Sequence, residues 1–174
     1  MNAEDLRARQ APLKARYGDD PGAAVVTLKA QGSLDGEGIA CRVETGRALI
    51  EAGLHPATGG SGIQACSGDM LLEALAACAG VTLRAVATAI DFKLKGGTVR
   101  AEGDLDFRGT LGVSKEAPVG FRHIRLAFDL NTEEPEDRVA LLKKLTERYC
   151  VVLQTIAKAP PVDTVIGTRV VAGG

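Results

Sequence analysis

Between Asp69 and Ile90 the chain carries apolar side chains on nearly every side of a helical wheel, interrupted by Glu73 and Arg84. A helix of that kind needs partners on most of its faces, more than one small sheet supplies. It is therefore expected at the centre of the fold and against a second copy of the chain. Charges at the depth of Glu73 and Arg84 are costly in lipid, which favours a helix buried in protein over a membrane span. Ser67 or Asp69 stands where an N-cap is needed.

The remaining elements arrange themselves around this helix. Residues 2–17 read as a helix with Leu6, Leu13 and Tyr17 on one side, stopped by Asp19, Asp20, Pro21 and Gly22. Residues 23–30 and 38–45 read as strands, parted by a turn at Gly32–Gly36. After the helix, 97–107 alternates weakly. In 121–130, Ile124, Leu126, Phe128 and Leu130 face one way while Arg125 and Asp129 face the other. A second helix is expected over 135–158, just after Thr132 or Glu133, with Leu142, Leu145, Tyr149, Val152 and Ile156 as its inward stripe. Ala159-Pro160-Pro161 stops it, and 162–171 reads as a closing strand. Strands and helices thus come in runs, which predicts α+β architecture, with residues 1–22 as a helical arm and 23–174 as the domain.

Composition narrows the possible functions. Twenty-one basic residues against 22 acidic ones, with 3% aromatics and no Trp, leave no basic, aromatic-lined surface for nucleic acid. The N-terminus shows neither a basic n-region nor an apolar h-region, so a cytoplasmic address with reduced thiols is expected. No GxGxxG, GxxxxGK[ST] or GxSxG occurs, and Gly59-Gly60 is a turn signal only. No cofactor is expected. His55 and His123 stand at no metal-ligand spacing from Cys41, Cys66, Cys78 or Cys150, so no metal is expected either.

Cys78 sits mid-helix among small residues (Ala74-Leu75-Ala76-Ala77-Cys78-Ala79-Gly80), and Cys150 sits midway along the second helix. Helices packed at about 8–10 Å, with Cα atoms at a radius of about 2.3 Å, bring facing Cα atoms to roughly 4–5.5 Å. That overlaps the separation a disulfide requires. A free Cys otherwise behaves as a small buried hydrophobe.

The segment Gly59–Arg84 (GGSGIQACSGDMLLEALAACAGVTLR) resembles the signature of the OsmC/Ohr superfamily: a Gly-rich loop, a polar turn, an apolar helix reading LLxALAxC, then TLR. The resemblance extends over roughly residues 23–172. It implies an OsmC-like fold with antiparallel sheets around two long buried helices, assembled as an intertwined homodimer. It also implies reduction of organic hydroperoxides, with Cys78 as the reactive thiol, Cys150 as the resolving thiol and a dithiol reductant reopening their disulfide. The hydroperoxidase branch has a Pro-Glu pair before the helix; here Gly68 stands at the Glu position and Asp69 follows it. Many members have Pro after the second cysteine, where this chain has Val151.

A reactive thiol needs a depressed pKa, and a charge-assisted hydrogen bond of about 1.5–3 kcal/mol is the right size to provide it. In the family an early-strand Arg held by the Glu does this. The counterparts here are Arg42, then Arg16 or Arg47, with Asp69 available to orient one of them. Cys66 reads either as a third redox thiol or as a buried loop residue, Cys41 as core, and His55 as a cleft or turn residue. Two readings follow: a two-cysteine hydroperoxide reductase, or a non-peroxidase OsmC-like module that binds a small apolar or thiol ligand in the dimer cleft.

Overall fold

The computed structural model of the chain describes residues 3–33, 42–43, 52–63 and 65–166. In chain order the elements are α1 (Ala3–Asp19), β1 (Val25–Ser33), β2 (Arg42–Val43), β3 (Ala52–Gly53), β4 (Ala65–Cys66), α2 (Ser67–Ala89), β5 (Gly96–Asp106), α3 (Phe107–Thr110), β6 (Phe121–Asn131), α4 (Glu136–Tyr149) and α5 (Val151–Ala157). An antiparallel sheet of order β2-β1-β5-β6 carries α2, against which α4 and α5 pack, so the α+β expectation holds. The second sheet is not antiparallel: β3 and β4 form a two-residue parallel ladder leading into α2.

Strand alternation sets the two faces of the large sheet. Val99 and Ala101 of β5 are fully buried, and Ile124, Leu126, Phe128 and Leu130 of β6 pack on the same core. On the other face Arg125 reaches Asp104 at 2.7 Å and Glu102 at 3.4 Å, and Arg100 pairs with Asp129. A bulge opposite Asp104/Leu105 shifts the register, so that Leu105 faces Phe121 and Arg122 is the extra residue. The shift turns Phe121 onto the core side, where its ring lies over Gly103; a Cβ there would meet the ring at 2.4 Å.

The α2 helix buries Leu72, Leu75, Ala76, Ala79, Leu83, Val86 and Ala87 against the sheet, and Leu142 of α4 closes that core. On its opposite stripe its own chain leaves Leu71 and Val81 each about 40% exposed. The N-cap is Cys66, not Ser67 or Asp69, and its side chain makes no capping bond. Cys66 has the extended backbone a cap needs, whereas Ser67 and Asp69 are already helical.

The expected second long helix is two helices. Cys150 has φ −71° and ψ 106°, ending α4 and beginning α5. No Gly or Pro marks the break. Thr146 donates its hydroxyl to Leu142 O at 2.8 Å inside α4, a back-bond that competes with regular helix geometry. The break also corrects the inward stripe. Leu142, Thr146 and Cys150 are the residues with no exposure, while Tyr149 is 56% exposed under the Arg148 guanidinium. The closing strand is likewise not formed over its described part, since 162–166 has no regular structure and is exposed.

The N-terminal arm docks as α1. Tyr17, 2% exposed, joins Ala24, Phe107 and Leu111 in a small second core and donates its hydroxyl to Ala57 O at 2.9 Å. Gln10 donates to Thr58 O at 3.2 Å. These bonds pin the 55–58 turn. Gly59 leaves the turn at φ +89°, and Gly60 passes so close to Leu54 that no side chain fits.

Candidate active site: a thiol pair between helices

Helix α2 carries Cys78 on the stripe that includes Leu71, two turns before it, and Val81, one turn after it. The break after α4 turns Cys150 inward to meet it. The two sulfurs lie within hydrogen-bonding reach, and both thiols are free. Cys150 is fully buried, whereas Cys78 is partly open to solvent.

Their electrostatics differ in sign. Burial raises the Cys78 pKa, but the N–H groups of Val152 and Val151, the Cys150 thiol and the Thr82 hydroxyl favour the thiolate, and the net shift is downward. Burial pushes the Cys150 thiol up, and a neighbouring Cys78 thiolate pushes it further. The more accessible sulfur is thus the one that gives up its proton more readily, and the buried one keeps it longer. That arrangement suits attack by Cys78 on an electrophile, followed by attack by Cys150 on the product.

Among the described residues it is the first turn of α5 and Thr82, not an arginine, that favour the Cys78 thiolate. Arg42 pairs by its backbone with Ser33, level with Thr98, on a strand that lies against α2, and its described structure is that backbone position. Arg16 is on α1, which packs on the 55–58 turn and α3 instead. Arg47 and Cys41 lie outside the described residues.

Asp69 lies in the first turn of α2. Burial pushes its carboxyl up, with the imidazole of His55 pulling the other way. Glu73, one turn on, is raised by burial and by Asp69. Among the described residues, the structure thus brings Asp69 together with His55 and Glu73. Cys66 precedes Cys78 by twelve residues, about 18 Å along the helix axis. It cannot serve as a resolving partner within the chain, because a disulfide needs Cα atoms within about 7 Å.

Sequence reasoning missed Thr82, Val151 and Val152. Thr82 was visible as the residue four after Cys78 on one face. The other two act through backbone N–H groups that no side-chain pattern announces. No group of three or more His, Cys, Asp or Glu that could hold a metal occurs among the described residues.

Fold and site define a small α+β protein in which two free thiols meet between a long helix and the head of a short one. The family profile described as OsmC-like protein matches residues 59–165, more than half of the chain, and the chain belongs to that family. Among solved structures it is similar to an OsmC-like hydroperoxide resistance protein from Jannaschia sp. CCS1, with TM-score 0.59 and 16% identity over 85% of this chain and 97% of that one. At that identity the likeness shows the fold. No curated protein matches the chain.

Proposed function

We propose that the protein is a two-cysteine peroxidase that reduces organic hydroperoxides. The observation that carries this reading is the contact between a Cys78 thiol of lowered pKa and a buried Cys150 thiol of raised pKa. The Cys78 thiolate attacks the outer peroxide oxygen, the O–O bond breaks, and the alkoxide leaves and takes a proton as alcohol. Cys78 is left as sulfenic acid. The Cys150 sulfur then displaces its hydroxyl as water, giving the Cys78–Cys150 disulfide. A dithiol reductant supplies two electrons and two protons to reopen it. The resemblance to hydroperoxide resistance proteins supports the substrate class.

The apolar stripe around the pair supports assembly as a homodimer: Leu71, Val81 and Val151 are all 39% exposed or more in the single chain. A second copy laid there would shield the thiolate and present an apolar approach to it.

The test is a free-thiol count with peptide mapping, before and after one equivalent of cumene hydroperoxide. A Cys78–Cys150 disulfide forming within seconds, and absent in Cys78→Ser, is the expected result. Four thiols left free while a control thiol peroxidase reacts would remove the enzyme reading. It would leave the family module as a ligand-binding protein.

A further inference from the structure

Away from the thiol pair, at the head of α2, lies a cavity of about 420 Å³. We propose that it is a second binding site, for a small, uncharged apolar molecule bearing a disulfide, half of which Cys66 retains as a mixed disulfide.

The walls are prebuilt. Phe121 enters through the register shift and rests on Gly103. Phe107 stacks on His55 at 4.9 Å between ring centroids, 16° from parallel. The turn that holds His55 is pinned from behind by Tyr17 and Gln10 of α1. That helix lies outside the residues matched by the family profile. Leu71 and Leu105 complete an apolar lining. The volume falls at the small end of the range for ligand sites, about 300–1,000 Å³.

The polar groups define the occupant. His55 accepts the Ala57 N–H on Nδ1 at 3.0 Å, which leaves Nε2 to carry a donor proton. The Thr58 hydroxyl is already spent on His55 O at 2.9 Å. Asp69 interacts with His55 at this end of α2, and a carboxylate there disfavours an anionic guest. Cys66 is the group in the wall able to form a covalent bond. It is partly exposed, makes no capping bond, and stands too far from Cys78 to be used by it. The exchange is balanced without an external oxidant. The Cys66 thiolate attacks one sulfur of the guest disulfide, that S–S bond breaks, and the second half leaves as a thiol carrying the proton released by Cys66.

The probe is 2,2′-dithiodipyridine, a neutral aromatic disulfide that releases a coloured thione, offered to the full-length reduced protein. The rate at each cysteine is read by peptide mapping, with anionic 5,5′-dithiobis(2-nitrobenzoate) as the comparison. Prior binding in the cavity predicts a Cys66 rate that saturates with the neutral probe and exceeds the anionic rate at least tenfold, after both are scaled to their rates on a free thiol. Gly120→Trp adds bulk at the cavity mouth, where a Cβ meets nothing within 4 Å. It should cut the Cys66 rate at least tenfold and leave the reaction of Cys78 with hydroperoxide unchanged. A Cys66 rate linear in probe concentration, or equal for the two probes, overturns the proposal. Because the readout is at Cys66, it is independent of whether Cys78 reduces peroxides.

Discussion

At Cys78 burial, which disfavours a thiolate, is outweighed by the two N–H groups at the head of α5, the Cys150 thiol and Thr82. At Cys150 no such reversal occurs. Iodoacetamide at pH 7 should therefore modify Cys78 about tenfold faster than Cys150, with the Cys78 rate levelling off at a lower pH than that of a free thiol. Equal rates, read by mass spectrometry of the two peptides, would contradict the asymmetry. Glu73 offers a second test. Its folded-state pKa is raised, so its contribution to stability is fully present below the unfolded value and is lost as pH rises through the folded one. Glu73→Gln should raise the melting temperature at pH 7 by roughly 1–3 °C and change it little below about pH 4. An equal shift at both pH values would point to packing instead. At this scale the two cysteines were legible because the LLxALAxC pattern fixes one and helix position suggests the other. The Asp69–His55 proximity was not, since it joins a loop to a helix through a turn that contacts with α1 and Phe107 help to hold in place.

Between elements, the break at Cys150 is the feature that residue types concealed. Positions 136–157 keep helical periodicity throughout, so Leu142, Leu145, Val152 and Ile156 were placed correctly and Tyr149 was not. The break also makes sense of the missing proline. Cys150 already has the extended backbone that precedes proline, and Val151 occupies the first helical position of α5, where proline fits. Val151→Pro should fold with unchanged far-UV dichroism. It removes one N–H favouring the Cys78 thiolate, a loss of about 0.5–1.5 kcal/mol, and should slow Cys78 alkylation at pH 7 about two- to tenfold. A loss of helix signal would mean that the break is not the site of accommodation. The arm is tested in the same manner. Tyr17→Phe keeps the buried ring and deletes only the bond to Ala57 O, so it should cost about 1 kcal/mol in urea unfolding. No cost would show that α1 rests on the body without fixing the 55–58 turn.

For the whole molecule, the decisive quantity is how much of α2 its own chain covers. The helix is long and apolar enough to cross a membrane by length and composition, yet only 44% of its most apolar stretch is buried. Its inner face is satisfied by the sheet and by Leu142, while Leu71 and Val81 face outward. The sheet adds an unpaired flank, since β6 is an edge strand among the described residues. Val162, Val165 and Ile166 are at least 80% exposed in the segment that reads as a strand by sequence but has no partner within the described chain. Strand-forming residues without a strand beside them, an open edge and a half-covered central helix are complementary needs, and a second copy of the chain would meet all three by symmetry. Light scattering at micromolar concentration should therefore give twice the 18.1 kDa of one chain. Val81→Glu places a charge on the outer stripe of α2, where a lone chain tolerates it in water and a dimer interface does not. It should bring the mass to that of one chain with the helix signal retained. A parent protein that is already monomeric would mean that the exposed stripe serves the apolar substrate alone. A Val81→Glu protein that stays dimeric would move the interface off α2 and onto the β6 edge.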